Sequence, residues 1–223
     1  MTGLFFPRVC SACGNTLLRD EEVVCLTCRM TLPKTGYETF QDNPSAQLFY
    51  GRVRLNAVTS CYFFSKSGKV QHLIHELKYK GNHEAGVFLG QEIGRTIKDA
   101  PLFANIDCLV PVPLHPKRQR KRGYNQSEMI ARGISQTTNI PISNNNLVRK
   151  VNTATQTHKT KEERYENVKD IFDVVNPDQL RGKHVLLIDD VLTTGATLTS
   201  CASKLLTIPD IKVSVATAAC AGN

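Results

Sequence analysis

The most constraining feature of the sequence is the string of residues 184–197, which joins an apolar stretch to a turn and a helix. Residues 184–188 are almost entirely apolar, which predicts a buried strand. Two adjacent carboxylates, Asp189 and Asp190, follow it, and a run of small residues then opens a helix predicted over 196–206. A strand, a turn and a helix in this order form the repeating unit of α/β proteins, so the string already favours that fold class.

The rest of the chain repeats this alternation. Strands are predicted at 56–64, 106–112, 140–148 (broken), 171–175 and 211–218, and helices at 70–81, 85–97 and 127–138. We therefore expect an α/β fold with a mostly parallel sheet flanked by helices on both faces. Ligands of such sheets bind outside the carboxyl ends of the strands, which directs attention to the segments after Pro113 and Ile188.

Four of the eight cysteines form a cluster with the spacing C-x2-C-x11-C-x2-C. They are Cys10, Cys13, Cys25 and Cys28. Paired C-x-x-C turns in a short segment with few large apolar residues predict a structural Zn²⁺ site, a zinc ribbon. Reduced or redox-active thiols are the alternative. The other cysteines stand alone in apolar strings and are interpreted as small buried hydrophobes: Cys61, Cys108, Cys201 and Cys220.

Charge and composition divide the chain into two parts. Residues 1–50 carry four Lys/Arg against five Asp/Glu, whereas residues 51–223 carry 24 against 15. We predict a zinc-ribbon domain with its linker at 1–45 and a larger basic domain at 46–223, where a polyanionic ligand would bind. The sequence has neither an apolar stretch long enough to span a bilayer nor a basic leader, so we expect a cytoplasmic protein without membrane insertion.

The segment after residue 188 has the composition of a sugar-phosphate site. Small residues let backbone N–H groups approach a phosphate at the start of a helix, and here they are Thr193, Thr194, Gly195, Ala196 and Thr197. Carboxylates repel phosphate, so Asp189 and Asp190 are expected to bind sugar hydroxyls of the same ligand. Together they predict a cradle for a ribose 5-phosphate. In the alternative interpretation, the acids only cap the following helix.

The string 189–197 resembles the phosphoribosyl pyrophosphate (PRPP) signature of type I phosphoribosyltransferases. The wider pattern is similar to the ComF (competence protein F) family. It comprises the four cysteines, Leu-Lys-Tyr-Lys-Gly at 77–81, Pro-Val-Pro-Leu-His-Pro-Lys-Arg at 111–118, Arg-Gly-Tyr-Asn-Gln at 122–126, and Gln156, Arg164, Asn167 and Val168. This resemblance implies a phosphoribosyltransferase-like fold with a zinc ribbon, and a role in uptake of single-stranded DNA during natural transformation, with a DNA-uptake helicase as partner. It leaves the transferase reaction and its acceptor undefined.

A dense basic string follows the predicted strand 106–112, where a phosphoribosyltransferase binds diphosphate. Its predicted ligand contacts are Lys117, Arg118, Arg120 and Arg122. Arginine binds two phosphate oxygens at once, and Mg²⁺ is expected to bridge the diphosphate and the ribose hydroxyls of PRPP. A solvated basic turn is the alternative.

Two further groups are weaker candidates. The segment 149–164 is predicted as a flexible loop that closes over substrate, although it could be an ordinary exposed loop. By family resemblance, its ligand-facing residues are Arg149, Gln156, Lys159 and Arg164. Tyrosines beside cations suit base stacking on single-stranded DNA, and the candidates are Lys78, Tyr79, Lys80 and Tyr124. His72 and His75 are interpreted as surface histidines.

Two classes of function remain open from the sequence. One is a PRPP-dependent transferase of the amidophosphoribosyltransferase-like class, which releases diphosphate. The other is a non-catalytic module that responds to PRPP or a nucleotide, or binds single-stranded DNA. A positioned general base and an acceptor pocket would distinguish them, and the sequence reveals neither.

Overall fold

The computed structural model describes residues 7–150 and 171–221. Its six strands are β1 (Val58–Phe64), β2 (Cys108–Pro111), β3 (Leu147–Arg149), β4 (Phe172–Val174), β5 (His184–Leu192) and β6 (Lys212–Ala221). Four of them form a sheet in the order β1-β6-β5-β2, and each neighbouring pair is parallel. Strands β3 and β4 form a separate antiparallel pair.

Seven α-helices accompany the strands in these residues. They are α1 (Leu26–Thr31), α2 (Pro44–Gln47), α3 (Lys69–Tyr79), α4 (His83–Ile97), α5 (Pro116–Arg122), α6 (Gln126–Thr138) and α7 (Ala196–Leu205), with short 3₁₀ turns at Tyr37–Thr39, Pro101–Phe103 and Pro177–Gln179. Of the helices in the described ranges, none combines the length and the apolar character needed to cross a bilayer.

The sheet is buried on both faces, as its sequence pattern requires. Along β5, Leu186 and Ile188 join the core formed with α3, α4 and α6, whereas Val185 and Leu187 join the core formed with α7 and β4. This alternation follows from the two-residue period of a strand, and strands buried on both faces are apolar at every position. The predicted architecture, a mostly parallel sheet flanked by helices, is confirmed.

A close contact between two helices fixes the start of α6 relative to the sheet. A Cβ atom at Gly90 of α4 would lie 1.9 Å from the carbonyl oxygen of Ile130, and one at Gly133 of α6 would lie 2.0 Å from that of Val87. Only glycine permits this approach of the two backbones. The packing matters for function because α6 begins beside the carboxyl end of β5.

Three local predictions differ from the structure. Strand β5 continues to Leu192 instead of stopping at Ile188, because Val191 and Leu192 go on pairing with β6. The basic string is helix α5 and not a loop or turn. Pro116 starts that helix, the His115 side chain accepts a hydrogen bond from the Lys117 N–H, and Gly123 ends it with φ of 82°.

The third difference concerns residues 140–148. The broken strand expected there is reduced to an isolated bridge between Ile142 and Leu109, followed by β3, which includes only the last two of its residues. The four scattered cysteines are buried, which confirms their interpretation as core residues.

A buried carboxylate ties the N-terminal segment to the sheet domain. Glu92 of α4 is 3% exposed and accepts hydrogen bonds from Arg29 of α1, from Arg95 and from the Tyr62 hydroxyl of β1. Lys34 lies 3.6 Å away as a further cation. Apolar residues of the cysteine segment also belong to the core under α3 and α4. The division at residues 45 and 46 stays a prediction.

Candidate functional site

The carboxyl ends of the parallel strands enclose a cleft of about 630 Å³. Strand β2 ends at Pro111, level with Ile188, so β5 and β6 extend beyond it and leave a step in the sheet edge. Carboxylates, threonines and cations from three different segments, α3, α5 and β3, line this cleft. The members discussed below are Asp189, Asp190, Thr193, Thr197, Lys78, Arg118, Arg122 and Arg149.

Asp189 is held by two hydrogen-bond donors. Its Oδ1 accepts from the Ser127 hydroxyl at 3.0 Å and from the backbone N–H of Asp190 at 2.9 Å. Burial and the neighbouring charge of Asp190 nevertheless raise the pKa of Asp189 to about 7. This carboxyl group therefore changes its protonation state near neutral pH, within the cleft.

Asp190 has a different partner. Its Oδ1 lies 2.9 Å from the Lys78 ammonium group, and both side chains are largely buried. A cation therefore already stands at this carboxylate. Carboxylate oxygens are the ligands that Mg²⁺ prefers, so Asp189 and Asp190 fit a divalent cation chemically.

The turn after β5 is the small-residue segment that the sequence predicts to bind phosphate. Gly195 adopts φ of 73°, a left-handed conformation, and immediately precedes helix α7. A Cβ at this position would lie 3.2 Å from the Phe49 ring, and Arg52 fixes the turn by donating to the Thr194 carbonyl oxygen at 3.0 Å. Thr193 and Thr197 line the cleft. Thr194, Gly195 and Ala196 form the turn that lies between Thr193 and Thr197. This turn brings Thr193 and Thr197 to the same cleft as the aspartates.

Only some of the basic residues predicted to bind diphosphate line the cleft. Arg118 and Arg122 of α5 line the cleft, whereas Lys117 and Arg120 are exposed and do not belong to its lining. Arg149 enters from β3, with its guanidinium 5.4 Å from the centre of the Phe172 ring. Burial and the charge of Arg118 lower the pKa of Arg149. Gln156, Lys159 and Arg164 lie outside the described residues, so their predicted place stays open.

A second cleft of about 420 Å³ adjoins the first and is lined by Lys78, Tyr79, Gly81, Arg118, Lys121, Arg122 and Tyr124. Tyr79 is 65% exposed, and the Arg122 guanidinium lies 5.2 Å from the centre of its ring. Four of these seven residues, namely Lys78, Tyr79, Arg118 and Arg122, line both clefts. The two clefts therefore share one cationic wall with an aromatic ring in it.

Tyr124 was predicted as a base-stacking residue, and this is wrong. The residue is 7% exposed, its hydroxyl donates to the Leu77 carbonyl oxygen, and its ring packs against His83 at 4.0 Å. The ring is therefore covered by α3 and α4 and offers no free face to a base. Lys80 is exposed but outside the lining of both clefts.

Several residues at the start of α6 line the first cleft, although the sequence predicts no role for them. Asn125 caps this helix, Gln126 accepts from Arg122 at 2.8 Å, and Ser127 donates to Asp189. A weak signal existed, because Asn-Gln-Ser is a polar N-terminus following a strand end and a basic string. Lys121 was also missed as a residue of the second cleft.

The four-cysteine cluster is compact. The Sγ atoms of Cys10, Cys13, Cys25 and Cys28 all lie within 4.8 Å of one another. Zn–S bonds of about 2.3 Å in a tetrahedron place sulfurs roughly 3.8 Å apart, so the cluster can hold a Zn²⁺ ion after a small contraction. Backbone N–H groups point at the sulfurs: those of Cys25 and Cys28 donate to Cys10 and Cys25 at 3.3 and 3.4 Å. Burial opposes ionisation of Cys10, but such N–H contacts outweigh it and lower its pKa to about 7.

The four-cysteine cluster lies against helix α3, and its cysteines do not belong to the lining of the first cleft. The His72 ring contacts the Ala12 carbonyl oxygen at 3.1 Å, and the Asn82 amide donates to the Ser11 hydroxyl at 3.0 Å. His72 is thus a surface histidine with a backbone partner, in line with its interpretation from the sequence.

Comparison with known proteins gives three informative relatives. The chain is 33% identical over 138 residues to Competence protein F of Haemophilus influenzae and 31% identical over 137 residues to the DNA utilization protein YhgH of Escherichia coli K12, in each case covering 60% of both chains. It is 29% identical over 204 residues to Competence protein ComFC of Bacillus subtilis, covering 85% of this chain and 80% of the relative. The chain thus spans about 60% of the length of the first two relatives. No family model matches it.

Solved structures with a similar arrangement include a glutamine PRPP amidotransferase from B. subtilis, complexed with ADP and GMP. Its TM-score is 0.44 at 20% identity, over 61% of this chain and 26% of that one. A hypoxanthine phosphoribosyltransferase from Staphylococcus aureus gives 0.38 at 16% identity, over 60% and 62%. The assignment comes from the sequence relatives. The chain is a homologue of Competence protein F, YhgH and ComFC, and the ComF resemblance of its motifs is confirmed.

Proposed function

We propose that this protein binds PRPP together with Mg²⁺ in the cleft at the carboxyl end of its sheet and supports the uptake of single-stranded DNA in natural transformation. The observation that carries the ligand assignment is the arrangement of one cleft. Adjacent carboxylates, a threonine turn at a helix start and a wall of arginines all face it. The biological role follows from homology to proteins named for competence and DNA utilization.

Each part of the cleft suits one part of PRPP. The turn at 193–197 offers hydroxyls and a helix N-terminus to the 5′-phosphate. Asp189 and Asp190 accept hydrogen bonds from the ribose hydroxyls and would hold the Mg²⁺. Arg118 and Arg122 line the same cleft, and we assign to them the diphosphate on C1. A divalent ion at this position would neutralise charge that builds up on the diphosphate oxygens.

Transfer of the phosphoribosyl group is the activity that such an arrangement permits. An acceptor nucleophile forms a bond to C1 while the bond from C1 to the diphosphate oxygen breaks, and the diphosphate leaves with the electron pair. Arg118 and Arg122 stabilise this leaving group electrostatically. Release of diphosphate in the presence of ammonia or a nucleobase therefore distinguishes a transferase from a module that only binds PRPP.

Calorimetry with PRPP and Mg²⁺ tests the ligand assignment. We expect the wild type to bind and the double variant Asp189→Asn, Asp190→Asn to bind at least tenfold more weakly, since it loses two charged acceptors. The matched control is Asp173→Asn with Asp178→Asn, which removes two exposed carboxylates outside the cleft. Equal affinity of the wild type and the cleft variant would refute the role of the aspartates.

Direct binding of single-stranded DNA is a second candidate function, favoured by the exposed Tyr79 between cations. A base stacks on such a ring while the phosphodiester backbone contacts Lys78, Lys121 and Arg122. Tyr79→Ala should weaken binding of a short oligonucleotide about tenfold, whereas Tyr50→Ala, which removes a ring of similar exposure beside Asp42, should not. Replacing Lys117, Arg118, Arg120 and Arg122 by alanine should flatten the salt dependence of binding. An unchanged slope would place the DNA elsewhere.

The four-cysteine cluster completes the proposal as a structural Zn²⁺ site. Four thiolates leave no open position for a substrate or water, so the ion would stabilise residues 1–45 and the surface that they form on α3 and α4. The domain at 46–223 would then carry the PRPP cleft. A DNA-uptake helicase is the partner class that the family resemblance suggests.

A further inference from the structure

A buried amide at the start of α6 lacks a hydrogen-bond partner. The Gln126 side chain is 2% exposed, and within residues 7–150 and 171–221 its Nε2 group finds no acceptor. Leaving a buried donor unpaired costs about 1–3 kcal/mol. Such a group in a native structure calls for an explanation, and Gln126 belongs to the lining of the first cleft. The unpaired donor therefore points to a ligand.

The other end of the same amide is already used. Gln126 Oε1 accepts a hydrogen bond from the Arg122 guanidinium at 2.8 Å, and this contact orients the amide with Nε2 as its unpaired end. The Arg122 guanidinium also lies 5.2 Å from the centre of the Tyr79 ring, and Arg122 lines both clefts. Because Arg122 and Gln126 are in contact and both line the first cleft, an anion bound to the guanidinium would lie next to the amide. Arg122, the last residue of α5, and Gln126, the first residue of α6, are thus neighbouring donors.

We infer that Gln126 and Arg122 form a paired donor site for the anionic oxygens of the ligand's diphosphate group, with Gln126 supplying a neutral N–H donor beside the charged guanidinium. The inference rests on the proposed PRPP-binding function and adds a residue to its cleft. A donor requires an acceptor, so a metal cation is excluded as its partner.

The neighbours of Gln126 explain why the acceptor should be the diphosphate and not the sugar. Asp189, on the ribose side of the cleft, is already joined to Ser127, the next residue of α6. Gln126 instead faces the arginine of the basic wall. It is also the first residue of a 13-residue helix, whose N-terminus favours negative charge. For these three reasons we assign Gln126 to the diphosphate of the ligand and not to its ribose.

Two substitutions test this role. Gln126→Met keeps the length and volume of the side chain but removes the donor. Gln126→Glu keeps the shape and the acceptor for Arg122, but it replaces the donor by a negative charge. Gln136→Met is the matched control, because Gln136 lies on the same helix and pairs with Gln91 on its exposed side.

Binding of inorganic diphosphate with Mg²⁺, of PRPP with Mg²⁺ and of ribose 5-phosphate is measured by calorimetry. We expect Gln126→Met to weaken diphosphate and PRPP binding about tenfold, the loss of one hydrogen bond to a charged group, and Gln126→Glu to weaken them more. Ribose 5-phosphate affinity should stay unchanged in both variants.

The outcomes separate the inference from the function on which it rests. If the wild type binds neither PRPP nor diphosphate, the proposed function fails. If the wild type binds and Gln126→Glu binds equally well, the assignment of Gln126 is wrong. If a variant loses diphosphate and ribose 5-phosphate affinity to the same extent, Gln126 only supports the fold. If Gln126→Met does not fold, the Gln126→Glu comparison decides, because it preserves the contact with Arg122.

Discussion

Replacing Asp189 by asparagine should stabilise the ligand-free protein, and the gain should grow with pH. Burial and the adjacent Asp190 raise the pKa of Asp189 to about 7, against about 3.9 in an unfolded chain. Between these values the unfolded chain has lost a proton that the folded protein still binds. Stability therefore falls as pH rises through this range and reaches its minimum once Asp189 is ionised in both states. Asparagine keeps the acceptor for Ser127 but has no charge.

The size of the pH-dependent stability gain follows from the raised pKa of Asp189. Each pH unit in this window changes the free energy of unfolding by about 1.4 kcal/mol, so ionisation of Asp189 between pH 5.5 and 8.5 removes about 2 kcal/mol. For a chain of this length, 1 kcal/mol corresponds to roughly 2–4 °C in Tm. The Tm difference between Asp189→Asn and the wild type should therefore be about 4–8 °C larger at pH 8.5 than at pH 5.5.

Thermal unfolding of the two proteins at both pH values measures this difference. Taking the difference between variant and wild type at each pH cancels the pH dependence of the cysteine cluster, which both proteins share. Asp173→Asn is the control, because the contact with Lys150 lowers the pKa of Asp173. The stabilisation from this lowered pKa is fully present above the unfolded-chain value of about 3.9, so the Tm difference should be equal at pH 5.5 and 8.5. A pH-independent difference for Asp189→Asn would refute the argument.

Three further predictions concern other parts of the molecule. Metal analysis should find one Zn²⁺ per chain, and Cys13→Ser should abolish it and lower Tm strongly, since a structural zinc contributes on the order of 10 kcal/mol; a metal-free protein of unchanged Tm contradicts this. Gly195→Ala should cost about 1–2 kcal/mol more in urea unfolding than Gly182→Ala. Both have positive φ, but only the first meets the Phe49 ring. Glu92→Gln should lower stability by about 2 kcal/mol, because it removes the negative charge that faces Arg29 and Arg95 and one of two acceptor oxygens, and added salt should reduce the difference.

The order of strands and helices could be predicted from hydrophobic periodicity, because each element buries its own apolar face. The pattern of Val70, Leu73, Ile74 and Leu77 placed α3 correctly, and the apolar run 184–188 placed most of β5. Element ends were less certain. The end of β5 depends on pairing with β6, which lies more than 20 residues further along the chain, so nothing in residues 184–192 alone marks it.

Only some residues of the candidate site could be predicted from the sequence. Asp189, Asp190 and the turn at 193–197 are contiguous, so their joint chemistry was visible as a string. Ser127, Gln126 and Lys78 come from α6 and α3, and they reach the aspartates only because the helices pack on the sheet. Tyr124, in contrast, was predicted from the sequence to bind a base, and the tertiary structure buries it. It stands beside cations in the sequence, yet its ring is buried against His83.

The sequence by itself determined the local chemistry of this protein: a four-cysteine cluster within 19 residues, an α/β alternation, and carboxylates followed by a small-residue turn. Each of these depends on spacing along a few residues, which local geometry converts directly into structure. Only the tertiary structure decided which distant cations face the carboxylates, that Gln126 carries an unpaired amide there, and that Asp189 titrates near neutral pH. These properties depend on burial and on distances between separate elements, and packing alone sets both.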